Sequence, residues 1–254
     1  MNRSHMLAAT LVLGLVSTTA ALAQSKPTSD SMNAPGQGKR VRITIENLTT
    51  SQTLSPPVFV SHNSKAPPLF KEGEEASFGL MRIAEEGNAG PLLSSVVTKN
   101  IGEEFGAVGS GTAILPGQSR VVELEVTREF PMVSGATMLV MTNDGFTGIN
   151  GVNAYELSAP RRMDLMAYDA GTEKNNERKS HLIAMMGTER DPENGKVEMH
   201  TGIRGDADAP ADWKFDPSKP VARITLTPLA GMEATGSVNR RNDGMMKPDT
   251  MMQK

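Results

Sequence analysis

The stretch Val-Arg-Ile-Thr-Ile-Glu-Asn, residues 41–47, constrains the fold more than any other. Val41, Ile43 and Ile45 alternate with Arg42, Thr44 and Glu46. A period of two puts the apolar side chains on one face of a strand and the polar ones on the other. The dry face must then be covered by a second layer. The pattern recurs in Glu123–Val126 and in Ala222–Pro228, where Ala222, Ile224 and Leu226 oppose Arg223, Thr225 and Thr227. Met138–Met141 is a short continuous apolar run, as expected of a central strand, and Asp164–Tyr168 reads as another strand. Turn chemistry separates these segments: Leu115-Pro116-Gly117-Gln118 is one signal, and Asn194-Gly195 predicts a two-residue hairpin into Val197–His200. Helical signal is sparse. Ser77–Glu86 predicts a short helix capped by Ser77, with Phe78, Met81 and Ala84 on one face and Gly79 weakening it. Pro91–Val97 predicts a second. Gly102–Gly111 is glycine-rich but lacks the Lys of a phosphate-binding loop, and is expected to be a flexible surface loop. Together these segments predict an all-β fold, an antiparallel β-sandwich with one or two short helices, in one domain over residues 41–229.

The two ends of the chain read differently. Residues 1–23 carry Arg3 and His5, then the apolar run Met6–Val16, then Ala21-Leu22-Ala23. That order is a cleavable secretory signal with cleavage expected before Gln24, and the run is too short for an ordinary membrane span. No Cys stands near the cut for a lipid anchor, so a secreted or periplasmic protein without an integral membrane segment is expected. Residues 24–40, rich in Ser, Pro, Gly and Asn, read as a flexible leader, and residues 230–254 as a polar, disordered tail with scattered Met. The chain has no Cys, so it forms no disulfide even in an oxidising compartment. Its net charge of −3, with no basic stripe, argues against nucleic acid as a partner.

Two acidic loops carry the functional signal. Thr142–Phe146 (TNDGF) places Asp144 just past Met138–Met141. Tyr168–Glu173 (YDAGTE) places Asp169 just past Asp164–Tyr168, with Glu173 four residues on. Carboxylates this close repel by roughly 1 kcal/mol in water, and more when partly buried. A cation, a shared proton or plain solvation can offset that repulsion. One intervening strand, expected near Val152–Leu157, would make the two acidic strands run in the same direction. Asp144, Asp169 and Glu173 would then leave the same end of the sandwich. An all-oxygen set of that kind suits calcium, whereas zinc prefers sulfur and nitrogen. The spacing is not that of an EF-hand. The bland alternative is that Asp144 and Asp169 cap their own turns.

The stretch Asn47–His62 (NLTTSQTLSPPVFVSH), followed by Ala84–Asn88 (AEEGN), TNDGF and YDAGTE, resembles the spondin N-terminal domain family in its bacterial, stand-alone form. The resemblance runs over about Val41–Leu229. It implies a spondin-N-like β-sandwich similar to C2-type domains. It also implies a calcium site which, carried over by motif, consists of Asp144, Asp169 and Glu173. Glu173 stands where animal members usually carry Asp, and Gly145 where a bulky aromatic is common. The cysteines and thrombospondin-type repeats of animal spondins are absent, so adhesive roles that depend on them do not carry over.

Other constellations are weaker. His62 and His200 each end a predicted strand and are expected to be structural; a hydrolase built on either is the alternative, without a G-x-S-x-G turn to support it. Asp206, Asp208 and Asp212 read as a solvated turn, with an additional weak ion site as the alternative. Met245, Met246, Met251 and Met252 admit copper capture, although Met is more often core filler. The expected function is that of a calcium-binding, non-enzymatic module, with a protein or cell-surface ligand at its loop end.

Overall fold

The computed structural model describes residues 38–98, 102–107 and 112–229, with side chains described except at 97–98 and 102–107. The signal segment, nearly all of the leader and the Met-containing tail lie outside the described residues, so the expectations for them do too.

Among the described residues there are ten strands and two α-helices: β1 Lys39–Asn47, β2 Val58–His62, α1 Phe78–Glu86, α2 Gly90–Thr98, β3 Gly102–Ala107, β4 Ser119–Val126, β5 Met132–Met138, β6 Gly145–Asn153, β7 Arg161–Leu165, β8 Tyr168–Asp169, β9 Glu198–Met199 and β10 Ala222–Pro228. They form a four-stranded sheet in the order β4-β1-β10-β7 and a six-stranded sheet in the order β3-β2-β5-β6-β8-β9. Every pairing is antiparallel. The expected antiparallel β-sandwich with short helices is therefore the observed architecture.

The alternating segments do what their period dictates. Val41, Ile43 and Ile45 of β1, Leu124 and Val126 of β4, and Ala222, Ile224 and Leu226 of β10 are all buried between the sheets. They meet Phe59, Val133, Ile149 and Val152 of the facing sheet. That sheet is covered on its other face as well. Val58 and Val60 of β2, Ala136 of β5 and Phe146 of β6 pack against Leu80, Ile83 and Ala84 of α1 and Val96 of α2. Burial on both faces explains why β2 shows no alternation and is buried throughout. Gly135 is required where Phe59 crosses β5: a Cβ there would overlap the Phe59 ring and the Val58 carbonyl oxygen.

Ser77 caps α1 by accepting a hydrogen bond from the Leu80 amide (3.2 Å), and Gly87 ends it in the left-handed region at φ 65°. The buried face is only partly the expected one: Ala84 is buried, but with Leu80 and Ile83, while Phe78 is exposed. Gly79 lies where α1 meets α2: a Cβ would come within 2.9 Å of the Leu92 Cα.

Several strand expectations are corrected. Met138 ends β5, Leu139 makes an isolated bridge with Leu54, and Val140-Met141 already turn. The chain returns at once, so the intervening strand is β6 at Gly145–Asn153 rather than Val152–Leu157. Asp164–Tyr168 is not one strand. It leaves the four-stranded sheet after Leu165 and joins the six-stranded sheet at Tyr168. The Asn194-Gly195 hairpin does not form. The Gly195 amide donates to the Gly171 carbonyl, and β9 pairs with β8 instead. Finally, Gly102–Ala107 is not a loop but the edge strand β3, paired with β2.

Candidate cation-binding loop site

The two acidic loops meet at one end of the six-stranded sheet because β6 lies between β5 and β8 and runs antiparallel to both. Asp144 sits in the β5–β6 turn. Thr142 Oγ1 donates to the Leu139 carbonyl (2.7 Å) and accepts from the Gly145 amide (2.8 Å), which closes that turn. A Cβ at Gly145 would overlap Thr142 Oγ1 and touch His200 Cδ2, so the space a bulky residue would need is occupied here. Gly145 pairs with Asp169 across the β6–β8 ladder.

Asp144 does not cap its own turn; it caps the other loop. Its Oδ2 accepts from the amides of Thr172 (2.7 Å) and Glu173 (3.0 Å) and from the Thr172 hydroxyl (3.2 Å). Its Oδ1 is buried with no hydrogen-bond partner. Asp169 does cap its own turn, with Oδ1 accepting from the Gly171 amide (2.7 Å), and Oδ2 accepts from the Asn175 amide group. Gly171 is left-handed at φ 68° and lies so close to the backbone of residues 195–196 that no side chain fits.

Glu173 is 1 % exposed, and neither carboxylate oxygen has a hydrogen-bond partner. Arg190 Nε lies 3.2 Å from its Oε1, near enough to act by charge but not aligned to donate. The same guanidinium bonds Glu86 (2.9 Å) and lies 3.8 Å from Glu85. Burial, with Asp169 beside it, pushes the Asp144 carboxyl up to about 7 against its backbone hydrogen bonds. Burial also pushes Glu173 up to about 7; Arg190 opposes the shift, and the charges of Glu85, Asp144 and Asp191 add to it.

Oxygen donors at this end fit a hard cation chemically, and the orphaned oxygens of Asp144 and Glu173 are the ones such an ion would satisfy. The side-chain arrangement is looser than an ion cage. Among the described residues, no group of three or more His, Asp or Glu side chains is disposed to hold a metal. Asp144 and the second loop are brought together, but both Asp169 oxygens are already bonded and Glu173 lies against Arg190.

The sequence reading missed three neighbours, Glu85, Arg190 and Glu177. Glu85 and Arg190 come from α1 and a distant loop, and no spacing signal ties them to Asp144. Glu177 is buried; its two oxygens accept from the amides of Arg204 (2.6 Å) and Gly205 (2.7 Å). His200 is 2 % exposed and its Nδ1 accepts from the Gly202 amide (2.8 Å), so Nε2 carries the proton, without a partner. Burial holds His200 below its ordinary pKa. Of the second acidic loop, Asp208 accepts from the Lys179 amide (2.9 Å) and Asp206 pairs with Arg204 (3.1 Å). No described helix is long and apolar enough to cross a membrane.

No curated protein matches the chain. The family model described as Spondin_N matches residues 47–190, more than half of the chain. That span carries both acidic loops, α1 and β2 to β8. With the β-sandwich and these loops on one end, the chain belongs to the spondin N-terminal domain family.

Proposed function

We propose that this domain is a non-enzymatic binding module whose loop end is organised by calcium held by Asp144, Asp169 and Glu173. The observation that carries the reading is the set of three buried carboxylate oxygens without hydrogen-bond partners, Asp144 Oδ1 and both oxygens of Glu173. A buried ionised carboxylate without a partner is costly. A divalent ion would supply the missing positive charge, and carbonyls and water can complete a calcium shell. Ion binding would exchange the Asn175 amide for metal at Asp169 and weaken the Arg190 contact of Glu173. The loops so held would present a recognition surface, as loops on rigid scaffolds commonly do. The N-terminal segment 1–23 supports export, where a protein or cell-surface ligand is the expected partner.

The test is thermal unfolding with calcium and with chelator, in the wild-type protein and in Asp169→Ala. The reading requires that chelation lower the Tm of the wild-type protein and leave that of the variant unchanged. A wild-type Tm indifferent to calcium would leave the shared proton, favoured by the elevated pKa values of Asp144 and Glu173, as the better account.

A further inference from the structure

A second constellation lies between the helices and the outer face of the six-stranded sheet. A recess of about 190 Å3 is walled by apolar side chains, among them Val60, Leu69, Leu92 and Val96, and also by His62 and Ser134. Ser77, whose Oγ caps α1, and Ser95 also line it, but His62 and Ser134 are bonded to each other in a defined sense. His62 Nδ1 is 2.9 Å from the Asn63 carbonyl, which can only accept, so Nδ1 carries the proton. His62 Nε2 therefore accepts from the Ser134 hydroxyl at 2.8 Å. The Gly151 amide donates to Ser134 Oγ, also at 2.8 Å. A hydroxyl oxygen has two lone pairs. One takes the Gly151 proton and one remains, so the polar spot made by this pair is an acceptor. Burial lowers the pKa of His62 and keeps the ring neutral, leaving the spot no charge to offer an anion.

We propose that this recess binds a small, uncharged, mainly apolar molecule carrying one hydroxyl or N–H donor, which bonds Ser134 Oγ. An apolar cavity of about 150 Å3 holds benzene, so a single-ring molecule matches the volume. The apolar walls remove the ring from water, and the Ser134 acceptor selects among molecules of that size.

Phenol and toluene are suitable probes because they have the same number of heavy atoms and differ in the donor. Titrations of the full chain followed by heteronuclear NMR should show both saturating at the recess. Ser134→Ala should weaken phenol roughly tenfold, the value of one hydrogen bond, and leave toluene within about twofold. Ser134→Cys keeps a donor toward His62 but is a poor acceptor, and should act the same way if the alanine variant does not fold. Ala66→Trp, on a partly exposed part of the lining, should abolish both. Failure of either probe to saturate, equal weakening of both by the Ser134 variants, or phenol binding unaffected by Ala66→Trp would each overturn the proposal. So would hydrolysis of p-nitrophenyl acetate that disappears in Ser134→Ala, which would make the pair a nucleophile and its base.

Discussion

Glu173 and Glu177 stand four residues apart on one loop and are both buried, yet their surroundings are opposite. Glu177 is satisfied within the chain: the Arg204 and Gly205 amides donate to its two oxygens, and the Arg204 side chain lies at 4.0 Å. Glu173 has Arg190 nearby and no hydrogen bond. Both side chains occupy similar space, so burial alone does not distinguish them; what differs is whether backbone donors converge. A buried acid whose acceptors are met from inside is part of the scaffold. One whose acceptors are unmet is stable only by taking up a proton or a cation.

The largest effect is expected at the satisfied residue. Glu177→Ala leaves the part-buried amides of Arg204 and Gly205 without their acceptors and should cost about 3 kcal/mol, seen as a lower urea midpoint that calcium does not restore. Restoration by calcium would move Glu177 into the ion site and end the contrast. Chelation should come next. An ion at a hundred times its Kd contributes about 2.7 kcal/mol, which in a domain of this size is a Tm shift of roughly 5–10 °C, absent in Asp169→Ala.

The pH dependence of the chelated protein sharpens the same point. Asp144 and Glu173 are raised to about 7 in the folded state from their ordinary values near 4. Folding then binds protons, so stability is fully present below about pH 4 and is lost as pH rises through about 7. Saturating calcium should flatten that loss; urea midpoints from pH 4 to 8, with and without calcium, measure it. The smallest effect is expected from Glu173→Gln. It removes a buried charge while keeping the shape, so the chelated protein should change by within about 1 kcal/mol while calcium affinity falls. A destabilisation as large as that of Glu177→Ala would mean that Arg190 already meets the needs of Glu173.

Part of this contrast was legible in the chain itself. TNDGF and YDAGTE could be read as two acidic loops at one end, since a single strand between two others makes those two run alike. The side-chain partners could not be read. Arg190 reaches Glu173 from a distant loop, and Glu85 arrives on α1, which meets α2 closely where Gly79 lies against Leu92. Nor was the switch of sheets between Leu165 and Tyr168 visible, because a short apolar segment looks the same whichever sheet it joins. The family match also stops short of the whole sandwich: most of β1 and all of β10, which pair centrally in the four-stranded sheet, lie outside residues 47–190.

By itself, then, the sequence determined the layers: a period of two in β1, β4 and β10 fixes which side chains must be dry, and a dry face needs a second sheet. It also determined which carboxylates would share an end. Only the tertiary structure decided which of those carboxylates are satisfied, and that His62 and Ser134 would meet at a recess. Hydrophobic burial follows a local repeat along the strand, whereas a hydrogen bond depends on distance and angle between groups that folding brings from remote parts of the chain.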